Sequence, residues 1–79
     1  MLKYIDDKEP SLEDLQEYVG GYIETVTLLN GDTLVINEDG LNLDLKVNQE
    51  ATKVYLDNGG MRSNKIRGNA VIVKKGLLK

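Results

Sequence analysis

The stretch YIETVTLLNGDTLVIN, residues 22–37, limits the fold more than any other, because β-branched and apolar residues flank Asn30-Gly31 on both sides. Asn-Gly readily takes the left-handed conformations of a tight hairpin turn. Side-chain parity then argues the length of that turn. A two-residue loop pairs Leu29 with Asp32 and places Val26 and Leu28 on the opposite face from Leu34 and Ile36. A three-residue loop, Leu29-Asn30-Gly31 with Gly31 left-handed, gathers Val26, Leu28, Leu34 and Ile36 on one face. The odd loop is therefore expected.

Before the hairpin, LKYI is a short apolar-rich run, and Pro10-Ser11 marks a helix start. Ser11 can cap the helix, with Asp14 completing a variant of the capping box at the positive end of the dipole. Leu12, Leu15 and Val19 fall on one helical face, and Gly20-Gly21 follows the last apolar position, so a helix is predicted over residues 12–19. After the hairpin, Glu38-Asp39-Gly40 makes a turn. LNLDLKV then alternates, which predicts a half-buried strand with Leu41, Leu43, Leu45 and Val47 inward. Asn48 is placed to cap a second helix through QEATKVYLD, with Ala51, Val54 and Tyr55 on its inner face. A strand with Thr52, Val54 and Leu56 on one side is the competing assignment. Ala70 to Lys75 suits a strand covered on both faces. The expected class is α+β: one domain over residues 1–79, with a small mixed sheet of about four strands, a central hairpin and one or two short helices.

Composition narrows the chemistry. Seventy-nine residues allow one modest core, built here from leucine, valine and isoleucine because phenylalanine and tryptophan are absent. So small a core would gain from association with copies of itself. Without histidine or cysteine, the commonest general base, the thiolate nucleophile and the usual zinc ligands are missing, and triad hydrolysis is excluded. Ser63 has only Lys65 as a nearby base. Paired carboxylates at Asp6-Asp7, Glu13-Asp14 and Glu38-Asp39 fit solvated turns and caps better than acid/base machinery. NEDGLNLD lacks the ligand spacing of a calcium loop, and neither glycine pair has a phosphate-loop setting. The expectation is a protein that is not an enzyme and carries no cofactor or metal. No apolar run approaches the ~20 residues that span a bilayer, so no membrane partner is expected and a cytoplasmic location is.

Charge is unevenly distributed. Residues 1–45 carry eleven acids against two lysines, whereas residues 46–79 carry eight cations against two acids. Such asymmetry marks an interaction surface unless the halves neutralise each other in space. The cations concentrate in GGMRSNKIRGNAV, residues 59–71. There Arg62, Lys65 and Arg67 could hold an anion through their side chains, Asn64 and Asn69 adding amide donors, and Ile66 pointing to the core. A solvated basic connection is the alternative reading. Nucleic acid is disfavoured as a partner, since the sequence pI is near 4.8 and a long polyanion would meet the acidic half.

The stretch LEDLQEYVGGYIETVTLLNGDTLVINEDG, followed by NQEAT and IRGNAVIV, resembles a small domain of unknown function found in phages and bacteria. Val19-Gly20-Gly21-Tyr22-Ile23-Glu24 carries the most specific part. The resemblance implies a viral or mobile-element origin and assigns no reaction. Small phage accessory proteins often block host defences, some as compact oligomers that sequester nucleotide-derived immune signals. By that analogy the expected function is a homo-oligomeric binding protein. Arg62, Lys65 and Arg67, with Asn64, would hold the phosphates of a small nucleotide-type ligand, with Tyr22 or Tyr55 stacking a base. The alternative is a module that inhibits or modulates a host protein through its acidic helix face and sheet edge, where Glu13, Glu17 and Glu24 would matter.

Overall fold

The computed structural model describes residues 1–78, and its elements run β1 (Leu2–Ile5), α1 (Leu12–Val19), β2 (Ile23–Thr27), β3 (Thr33–Asn37), α2 (Gln49–Asp57) and β4 (Ala70–Val73). The sheet order is β1-β4-β3-β2, with β1 and β4 parallel and the other pairs antiparallel. It is the expected α+β arrangement of a four-stranded mixed sheet and two short helices.

The hairpin closes as its parity requires. Val26 faces Leu34, Thr27 faces Thr33, and the Leu28 N–H donates to the Asp32 carbonyl at 2.8 Å, which leaves Leu29, Asn30 and Gly31 as the turn. Gly31 has φ +94°, a conformation that costs glycine little and other residues more. Leu28 and Leu34 are buried, with Val26 and Ile36 packed beside them.

β4 explains the architecture. All of its residues, AVIV, are buried, so it must be covered on both faces and flanked by strands on both sides. Ala70 and Ile72 join Leu28, Leu34, Ala51 and Ile66 on one face, while Val71 and Val73 join Leu15, Val19 and Val35 on the other. The result is three layers, with α1 on the second face and α2 plus the 58–69 connection on the first.

Both helices start where the caps predicted. The Ser11 hydroxyl accepts from the Asp14 N–H at 3.0 Å, and the Asn48 side chain accepts from the Ala51 N–H at 3.0 Å. α1 ends at left-handed Gly20. α2 is a helix rather than the competing strand because Asn48 caps it and Ala51, Val54 and Tyr55 all meet the core. Leu12 is a correction: it is 57% exposed, because only Leu15 and Val19 of the three face the sheet.

The predicted strand at residues 41–47 does not form. The chain instead turns, with the Leu43 N–H donating to the Asp39 carbonyl and the Leu45 N–H to the Gly40 carbonyl, while Asp44 takes φ +53°. Leu41 and Leu43 are exposed, and the segment's sheet-like contact is one antiparallel bridge between Val47 and Arg67. The place beside β3 that such a strand needs is taken by β4, whose unbroken apolar run gains more from burial than an alternating one.

Candidate functional site

The connection from α2 to β4 is irregular but not loose. Asn48, 1% exposed, ties it down: its Nδ2 donates to the carbonyls of Met1 and Gly68, each at 3.0 Å, and its own N–H donates to the Ile66 carbonyl at 2.8 Å. Thr52 Oγ1 accepts from the Ile66 N–H at 2.9 Å, so Ile66 is anchored in the core as expected. With Ile66 inward, its neighbours Lys65 and Arg67 are held at the surface.

Tyr55 defines the start of the connection. Its ring lies so close to Gly60 that a Cβ there would come within 2.5 Å of ring carbons, and its hydroxyl accepts from Asn64 Nδ2 at 3.2 Å. Glycine is required at 60 by this approach, while Asn64 is fixed at the groove rim.

These restraints leave a groove of about 570 Å³ between the connection and the α2-side face of the hairpin. Val26, Ile36 and Ile66 supply an apolar lining, Tyr55, Ser63, Asn64, Lys65 and Arg67 line it from the connection, and Glu24, Glu38 and Leu41 line it from the open end of the hairpin. Its volume lies in the range of small-molecule sites, which combine apolar walls with a few polar groups. Of the residues predicted to bind, Asn64, Lys65, Arg67 and Tyr55 are brought together here. Arg62, Tyr22 and Asn69 are not: Arg62 sits in the exposed 61–64 turn, Tyr22 is 70% exposed outside the groove, and Asn69 lies on the α1 face, where its Nδ2 donates to the Tyr18 carbonyl at 3.2 Å.

Arg67 is partly occupied. Its Nη1 donates to the Leu45 carbonyl at 3.1 Å and lies 3.9 Å from an Asp44 carboxylate oxygen, so it secures the 39–45 turn. Lys65, exposed and without an ion pair among the described residues, is the freer cation.

Sequence reasoning assigned no groove role to Glu24 and Glu38. The signal was present in the hairpin's parity, since Glu24 follows the same alternation as Val26 and Glu38 the same as Ile36. The groove is thus acidic on one side and basic on the other.

A second depression, about 590 Å³, lies on the α1 face, where Lys3, Asp14, Glu17, Tyr18 and Asn69 contribute its polar lining. Lys3 Nζ sits 5.7 Å from the Tyr18 ring centroid, so its cation already has a partner. Among the described residues, pairing between the two halves of the chain is confined to one long contact. The ion pairs among the described residues are Lys53–Asp57, within the basic half, and the longer Arg67–Asp44 contact.

No group of histidine, cysteine or carboxylate side chains among the described residues is arranged to hold a metal ion, and no described helix is long and apolar enough to cross a membrane. No curated protein and no solved structure matches this chain. The residues that carry the sequence resemblance mostly hold the fold: Gly20 caps α1, Asn48, Ala51 and Thr52 fix α2 and the connection, and Ile66 fills the core. Residues 2–76 match one family pattern across nearly the whole chain, and the protein belongs to that family, described as the domain of unknown function DUF3846.

Proposed function

We propose that this chain is a non-catalytic, homo-oligomeric binding protein whose groove takes a small anionic ligand of nucleotide type. The observation that carries this reading is the convergence of Lys65, Asn64, Arg67 and Tyr55 on one groove with an apolar lining. Lys65 and Asn64 face the phosphate, Arg67 adds charge from beside Leu45, and Arg62 extends the positive potential outside the groove. Tyr55 offers an aromatic wall to a base. Glu24 and Glu38 on the other side accept hydrogen bonds from amino or imino groups of that base, and they repel an extended polyanion. Combined with the phage and bacterial resemblance, this supports a phage accessory role in the host cytoplasm, the sequestration of a nucleotide-derived immune signal.

A thermal-shift panel of cyclic dinucleotides and ADP-ribose derivatives tests the reading, because a ligand that binds only the folded state raises the melting temperature by mass action. The expected result is a shift with at least one compound, abolished by Lys65→Glu in a variant that melts normally alone. No shift across the panel overturns it.

One observation favours a second reading. Glu13, Asp14 and Glu17 form an exposed acidic face on α1 with no ion pair among the described residues, a surface suited to a basic patch on a host protein. A flat ligand panel combined with a monomeric mass would favour this protein-interaction role, with Glu24 on the neighbouring sheet edge contributing.

A further inference from the structure

The sheet's two edges differ. β1 carries Lys3 and runs into Asp6 and Asp7, charges of the kind that discourage edge-to-edge pairing. β2 is IETVT, with one charge, Glu24, but no proline, no lysine and no bulge in its register with β3.

Parity assigns the unused backbone of β2. The Leu28 N–H donates to the Asp32 carbonyl at 2.8 Å, and the Tyr22 carbonyl accepts from the Glu38 N–H at 3.0 Å, so even-numbered residues bond to β3. Antiparallel ladders alternate, so the N–H and C=O groups of Ile23, Thr25 and Thr27 point to the open side.

We propose that a second copy of this chain pairs its β2 antiparallel with this edge, about a two-fold axis at Thr25, to make one continuous sheet. Register follows by elimination, because outward-pointing residues must meet one another. An axis at Thr25 pairs Ile23 with Thr27 of the second copy and uses the whole strand. An axis at Glu24 sets two carboxylates opposite each other, which is repulsive. An axis at Val26 leaves Ile23 against the turn residue Leu29.

In the Thr25 register, Tyr22 stands opposite Leu28 of the second copy and next to its Leu29. Those neighbours would cover two of the chain's most exposed large apolar side chains, Tyr22 at 70% and Leu29 at 80%. Glu24 comes beside Val26 of the second copy, diagonal to the second Glu24 rather than opposite it, at a groove whose lining includes Lys65 and Arg67. Because β2 is the last strand of the sheet, each groove gains the other copy's strand as its missing side.

This deepens the homo-oligomeric part of the reading above, and it is tested by mass rather than by ligand affinity, so the two fail separately. Light scattering on the whole chain at micromolar concentration should give twice the 8.8 kDa of one copy. Thr25→Lys and Thr25→Glu each place like charges across the axis and should weaken the dimer roughly tenfold or more. An equimolar mixture of the two should restore it. Thr25→Pro removes only an outward N–H and should give a folded monomer by circular dichroism. If that variant unfolds, the mixing experiment decides. A monomeric wild type, a dimer that survives both charge variants, or a mixture that stays monomeric overturns the pairing.

Discussion

The two helices begin in the same way and are used differently. Ser11 is exposed and makes one capping bond, while α1 lies closely along β2, β3 and β4 and covers its face of the sheet. Asn48 is buried, caps α2, and also holds the Met1 and Gly68 carbonyls, while α2 reaches the sheet through Ala51, Val54 and Tyr55. A helix lying flat covers its face. A helix standing off, completed by an irregular connection, leaves room for a groove, and the connection must then be pinned by polar bonds such as those of buried Asn48.

Four substitutions grade this contrast by urea or thermal unfolding. Leu34→Ala, at a fully buried site under α2, should cost about 2–5 kcal/mol and bring so small a domain close to unfolding. Asn48→Ala should cost about 2–3 kcal/mol, because it removes the cap of α2 and takes a donor from the carbonyls of Met1 and Gly68 at a buried position. Ser11→Ala should cost about 1 kcal/mol, the usual loss for one exposed cap. If Asn48→Ala costs no more than Ser11→Ala, Asn48 is only a cap and the contrast collapses. Leu41→Ser, at a side chain 73% exposed, should change stability by less than about 0.5 kcal/mol; a larger loss would mean the 41–45 turn is packed as tightly as the core.

Much of the fold is legible where a residue type has one local use. The hairpin turn followed from parity around Asn30-Gly31, and both helix starts from a capping side chain ahead of an apolar face. LNLDLKV alternates without forming a strand, because alternation states only that a segment could be one, whereas strand positions are allotted by competition across the whole chain. β4 occupies the place beside β3, and Leu45 packs over Gly68 instead, where an added Cβ would come within 2.7 Å of it. Lys65, Asn64 and Tyr55 share a groove because Ile66 and Gly60 fix the path of the connection, and only Ile66 showed that role in the sequence. The acidic side of the groove was readable from the hairpin parity but had no meaning until the connection opposite it was placed.

The parallel pairing of β1 with β4 brings Leu2 beside Ala70 and Ile5 beside Val73, the longest separations in sequence that the sheet joins. Contacts so distant along the chain slow folding, because a large loop must close before they form. On the ribosome the hairpin and both helices emerge with the centre of their sheet still missing. Until residues 70–73 clear the exit tunnel, β3 has a bare edge and both helices lack much of the apolar surface they rest on. Folding of this domain is therefore expected to be an abrupt event that waits for β4, and a product cut short before residue 70 should expose that edge to aggregation rather than persist as a smaller folded unit.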